Sequence, residues 1–283
     1  MHVVDQIWIR RGVARAAAPL LACCSFACVD GASIERDVTP ASGGEATPAR
    51  GAEPRPTAAA SRSRTAVVVE LFSSEGCSSC PPADENLAYL AREQPVDGVE
   101  ILPLELHVDY WNRLGWADPF SSPAFTDRQQ RYARAFGQRG TYTPQMVVDG
   151  AREFAGAKTA KAKEAIAAAA LAPGRATVTI DRAANGVRVS VAGASAEADV
   201  LVAVTESGLA TDVPRGENAG SHLAHAPVVR DLERIGAVSG GGFTASFSPK
   251  LEATWRRENL RVVAFVQRRG DLRVTGAAAT TLE

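Results

Sequence analysis

Two cysteines in the order Cys77-Ser78-Ser79-Cys80 stand between an apolar run, Ala66-Val67-Val68-Val69-Glu70-Leu71-Phe72, and a helical pattern with Leu87 and Leu90 on one face. This order predicts a strand that runs into a turn, with a helix starting at the cysteines. The unpaired N–H groups and positive dipole end of a helix stabilise an anion, so Cys77 at the helix start is expected to be held as thiolate. The thiolate is the nucleophile of disulfide exchange. Cys80 lies one helical turn further on and can close a disulfide with Cys77 with little chain rearrangement.

Two other readings of the pair stay open. A Cys-x-x-Cys is half of a zinc site, which needs further ligands. The other cysteines are Cys23, Cys24 and Cys28, so a mixed site would have to recruit His107, His222 or His225. The pair could also be a permanent structural disulfide.

The first 28 residues read as an address. Arg10, Arg11 and Arg15 precede a short apolar stretch, Ala16 to Ala22, that is too short to span a bilayer. It has the form of a secretory signal, and Leu20-Leu21-Ala22-Cys23 resembles a bacterial lipobox, in which the cysteine is lipidated and becomes the first mature residue. Residues 29–64 are Gly, Pro, Ala, Ser and Thr with scattered charge, which cannot bury enough surface to offset their ordering entropy; a disordered tether is expected. The expected location is therefore outside the cytoplasm, periplasmic or as a membrane-tethered lipoprotein, with the lipid anchor as the membrane contact. In that oxidising compartment the folded part would keep Cys77 and Cys80 alone. A net charge of −1 argues against a nucleic-acid groove.

Residues 65–172 form the expected redox domain. Its second strand, Ile101 to Asp109, puts Leu102, Leu104, Leu106 and Val108 on one face and Glu105, His107 and Asp109 on the other. A polar row of this kind is by default a solvated face, the alternative being the lining of a cleft. An aromatic loop, Tyr110 to Phe120, follows, and then Ser122 as cap and Pro123 as first residue of a helix to Phe136. In Thr141-Tyr142-Thr143-Pro144-Gln145-Met146-Val147-Val148-Asp149-Gly150, a proline opening an apolar strand fits a cis peptide. Asp149-Gly150 is a hairpin turn signal into Arg152 to Ala155, and Lys158 to Leu171 is a closing helix.

Residues 173–283 change to period two. Six or seven short strands are expected, with Asn185-Gly186 and Gly270-Asp271 as turns, which predicts an antiparallel sandwich. His222 and His225, three apart, suit a metal on a helix but not on a regular strand; hydrogen-bonding roles are the default.

The order strand, Cys-x-x-Cys, helix, strand, helix, Thr-Pro strand, hairpin, helix resembles the thioredoxin fold. Four blocks, Glu75 to Asp84, His107 to Trp111, Gly115 to Ser122 and Tyr142 to Gly150, more closely resemble an exported bacterial family catalogued as domain of unknown function 1223. The fold class implied is an α/β thioredoxin-like domain followed by a mainly antiparallel β-sandwich-like domain. By the same resemblance Cys77 matches the attacking cysteine and Cys80 the resolving one. Pro144 matches the cis-proline, and Thr143 before it the residue that pairs with an extended substrate chain. Glu70 is a further candidate, as thioredoxins carry a buried carboxylate six residues before the first cysteine; here it lies seven before.

The expected function is an exported thiol–disulfide oxidoreductase without cofactor. It would act on protein or small-molecule thiols and disulfides, with a redox partner protein. Its rivals are a soft-metal protein holding copper through Cys77, Cys80 and His107, and a surface lipoprotein whose disulfide is structural.

Overall fold

The apolar run before the cysteines is a strand, β1 (Thr65–Ser73), paired in parallel with β2 (Val99–His107) from Thr65 opposite Val99 through Ser73 opposite His107, in the computed structural model of the chain. The structure describes residues 64–195 and 197–282; the expected leader, the lipobox at Cys23 and the tether up to residue 63 lie outside the described residues. α1 (Pro81–Glu93) carries the chain from β1 to β2, and α2 (Pro123–Ala135) follows the aromatic loop. Ser122 caps α2 by accepting the Ala124 N–H, with Pro123 in the first turn where a missing N–H costs nothing.

β3 (Gln145–Val148) opens after a cis Thr143–Pro144 peptide and pairs antiparallel with β1. It turns into β4 (Arg152–Ala155) through Asp149 and Gly150, whose φ values of 44° and 59° are those a tight hairpin turn demands. A Cβ on Gly150 would lie 2.0 Å from the Leu272 carbonyl oxygen, so this turn requires glycine twice over. α3 (Thr159–Ala170) closes this part of the chain.

The remaining strands are β5 (Thr177–Ala183), β6 (Gly186–Ala192), β7 (Ala198–Glu206), β8 (Ala210–Asp212), β9 (His222–Ala224), β10 (Val228–Ala237), β11 (Gly242–Phe247), β12 (Leu260–Arg268) and β13 (Val274–Thr281). Their arrangement corrects the expected fold class. Among the described residues there is no thioredoxin-like α/β domain followed by a separate sandwich: one eight-stranded mixed sheet runs β13-β12-β7-β10-β2-β1-β3-β4 and takes strands from both sides of residue 172. The joint is β10 beside β2, parallel at Val228 and Glu105, where the Glu105 N–H donates to the Pro227 carbonyl at 3.0 Å. A three-stranded sheet, β11-β6-β5, packs its Val187, Val189 and Val191 against Val200, Val202 and Val204 of β7 and against β12. The physical reason is the free edge of β2. Paired on one side to β1, it offers a row of unpaired backbone groups on the other, and β10 occupies it.

Alternation along β1 and β2 sorts the side chains onto two faces. Val67, Val69, Leu71 and Ile101 pack with Leu87 and Leu90 of α1 and Ile166 of α3. On the opposite face Val68, Phe72, Leu102, Leu104 and Leu106 pack with Phe125 and Tyr132 of α2.

Candidate active site around the Cys77 and Cys80 pair

Cys77 and Cys80 are joined by a disulfide, with Cα atoms 5.4 Å apart. The helix begins later than expected: Pro81 fits the first helical position, so Cys80 is the N-cap and Cys77 lies in the turn ahead of it. That turn is held by the Cys77 N–H on the Ser74 carbonyl (3.1 Å) and the Cys80 N–H on the Cys77 carbonyl (3.1 Å). The Cys80 carbonyl in turn accepts the N–H groups of Ala83 and Asp84. Thr143 Oγ1 donates to Cys77 Sγ at 3.2 Å and accepts from Trp111 Nε1 at 2.8 Å. Both cysteines are buried, while Ser78 and Ser79 between them face solvent.

The cover comes from two loops. Trp111 of the aromatic loop closes over Gly76, where a Cβ would meet its Cβ at 3.1 Å. From the segment between β8 and β9, Asn218 Nδ2 donates to the carbonyls of Glu75 (2.9 Å) and Cys77 (3.1 Å). Glu217 accepts from the N–H and hydroxyl of Ser78.

Linked to the disulfide loop through Glu75 is a buried cluster of ionisable groups. Glu105 and His107 are fully buried, so the polar row of β2 is not a solvated face. Glu105 Oε1 faces His107 Nε2 at 3.2 Å and His225 Nδ1 at 3.3 Å. The second nitrogen of each ring meets another carboxylate, His107 Nδ1 with Asp118 at 2.7 Å and His225 Nε2 with Glu75 at 3.0 Å. Glu75 also accepts Trp116 Nε1 at 2.7 Å, and Phe120 stands edge-on to both histidine rings. Burial works against the charged form of His107, yet Asp118 and Glu105 outweigh it and hold the imidazole well above its ordinary pKa. Burial likewise opposes the charge on His225, and Glu105 and Glu75 push it up to about 9. Asp84 has the opposite fate: burial first, then the Glu105 charge, push its carboxyl up to about 8 despite a hydrogen bond from Ser73. The surroundings thus favour the protonated forms of His107, His225 and Asp84.

The family whose description reads "Protein of unknown function (DUF1223)" matches residues 68–267, well over half of the chain. The chain belongs to this DUF1223 family. A solved structure, protein AGR_C_4864 from Agrobacterium tumefaciens, is similar at 29% identity with a TM-score of 0.65, covering 78% of this chain and 96% of that one. No curated protein matches the chain.

In this DUF1223 protein the remaining predicted residues fall in different places. Glu70 is buried but on the α2 face of the sheet, where Arg128 Nε and Nη2 and the Tyr132 hydroxyl donate to its carboxylate. Strand parity explains this. Six residues before Cys77 stands Leu71, on the α1 face with Val67 and Val69, and a carboxylate seven residues before falls on the other side. His107 gives both ring nitrogens to carboxylates and neither to a cysteine. His222 and His225 diverge, the first exposed on β9 against Asp212 and the second buried in the cluster. Asp84, Asp118 and Asn218 were not singled out from sequence. Only Asp84 carried a usable signal, standing four residues after Cys80 on the same helical face.

Proposed function

We propose that this protein is an exported thiol–disulfide oxidoreductase that works through the Cys77 and Cys80 pair on thiols and disulfides of proteins or small molecules. The observation that carries the reading is Asp84, a buried carboxylic acid one helical turn after Cys80 and on the same face of α1. A structural staple needs no buried acid one helical turn away. A disulfide closed across two intervening residues also constrains very little chain, so it adds less stability than one closing a long loop.

The step balances as follows. A substrate thiolate attacks Cys77 Sγ, the Cys77–Cys80 bond breaks, and Cys80 leaves as a thiolate that takes the Asp84 proton. A second substrate thiolate attacks the mixed disulfide and releases Cys77 as thiolate. The substrate dithiol is oxidised, the pair is reduced by two electrons, and the reverse sequence reduces a substrate disulfide. Thr143 Oγ1 supports the Cys77 thiolate through its hydrogen bond. The leader and lipobox support export, to the periplasm or to a membrane surface through lipidated Cys23.

The test is the redox equilibrium of the purified full chain against glutathione, with mass-spectrometric trapping of both thiols. Reversible exchange that is lost in Cys77→Ser supports the reading. A pair that never exchanges, or a Cys77→Ser protein with undiminished activity towards a protein disulfide, sinks it.

A further inference from the structure

Glu105 and His107 of β2 meet His225 from the segment after β9, and one oxygen of that glutamate has no hydrogen-bond partner among the described residues. Glu105 is fully buried, and its Oε2 lacks a hydrogen-bond partner among the described residues, while Oε1 faces both His107 Nε2 and His225 Nδ1. A buried carboxylate oxygen without a partner is costly, and a cation held by the carboxylate offsets that cost.

The spacing fits one. Nitrogen and oxygen ligands placed tetrahedrally at about 2.05 Å from a zinc-sized ion stand roughly 3.3 Å from one another. Glu105 Oε1 is 3.2 Å from His107 Nε2 and 3.3 Å from His225 Nδ1, and one donor atom from each of the three residues lies within 4.8 Å of the others. These contacts are longer than the 2.7 Å bond between His107 Nδ1 and Asp118, which has the length of a charge-assisted hydrogen bond.

The supports behind the rings fit as well. Histidines that hold metals give their other ring N–H to a carboxylate, which fixes the ring and strengthens the ligand. Asp118 does this for His107 and Glu75 for His225. His225 also borders a cavity of about 560 Å³ lined by Pro103, Thr205, Pro227 and Arg261.

We propose that Glu105, His107 and His225 form a binding site for one divalent transition-metal ion of the zinc class, separate from the cysteine sulfurs. Two imidazoles and a carboxylate suit zinc or cobalt better than magnesium or calcium. Glu75 and Asp118 join the site to the disulfide loop, since the Glu75 N–H donates to Asp118 and Glu75 is two residues before Cys77.

The experiment loads the full-length chain, disulfide intact, with zinc and separately with cobalt. Bound zinc is counted after gel filtration, and the cobalt spectrum is recorded. One equivalent per chain is expected, with visible cobalt bands of a nitrogen and oxygen site and no sulfur-to-cobalt charge-transfer band. The Cys77→Ser/Cys80→Ser protein should bind equally well, and His225→Gln and Glu105→Gln proteins that retain the wild-type circular dichroism should not. Because buried variants can fail to fold, the wild-type spectrum decides by itself. Substoichiometric binding, a sulfur charge-transfer band, or retention by both folded variants would overturn the site.

Discussion

Asn218 Nδ2 donates to the carbonyls of Glu75 and Cys77, residues 143 and 141 positions earlier in the chain, and so pins the segment between β8 and β9 over the disulfide. Removing the amide takes from the buried Glu75 carbonyl its side-chain donor, leaves the Cys77 carbonyl with the Cys80 N–H, and loosens that cover. Asn218→Ala should lower stability by about 1–3 kcal/mol and speed reduction of the Cys77–Cys80 bond by a water-soluble phosphine several-fold. Urea denaturation and timed alkylation with mass spectrometry read the two effects. An unchanged reduction rate would mean that the segment does not gate access.

The hydroxyl of Thr143 sits 3.2 Å from Cys77 Sγ and in the reduced protein would donate to its thiolate. A hydrogen bond to a charged group contributes about 1.5–3 kcal/mol, so Thr143→Val should reduce the thiolate fraction of Cys77 about tenfold or more at neutral pH. The pH dependence of its alkylation measures this directly, as a midpoint moved to higher pH.

Asp84 titrates from 3.8 in an unfolded chain to about 8 in the fold. The protonated acid is the form the fold favours, so its contribution to stability is fully present below 3.8 and is lost as the pH rises to about 8. Asp84→Asn, which cannot ionise, should gain stability on the wild type across that window and hold a constant advantage above it. Disulfide exchange at neutral pH should meanwhile slow by about 10²-fold, the usual lower bound for losing a general acid. Denaturation at a series of pH values and stopped-flow exchange test both halves.

Glu70 and Arg128 form a buried ion pair on the opposite sheet face from α1. Glu70→Gln leaves the guanidinium uncompensated and should cost about 3–5 kcal/mol of stability, with exchange per folded molecule unchanged. Slower exchange in a protein of undiminished stability would return Glu70 to the redox site.

How much of this was legible depends on the distance over which each feature is decided. The strand before Cys77, the cap at Ser122 and the hairpin at Asp149-Gly150 all stand where local patterns put them. The four sequence blocks also lead to the DUF1223 family. Helix onset at Pro81 rather than at Cys77 was readable too, since proline prefers the first helical position. The solvated reading of Glu105 and His107 failed because alternation tells which residues share a face and says nothing of what covers it.

The sequence by itself determined the cysteine pair, its strand-turn-helix setting, the Thr-Pro strand beside it and the family, because covalent geometry and short-range hydrogen bonding act within a few residues. Only the tertiary structure decided that β10 completes the sheet at β2, that Asn218 closes over Cys77, and that His225 meets Glu105 from 120 residues away. Those contacts depend on which strand fills a free sheet edge, and that choice is settled by the burial of whole faces rather than by any local pattern.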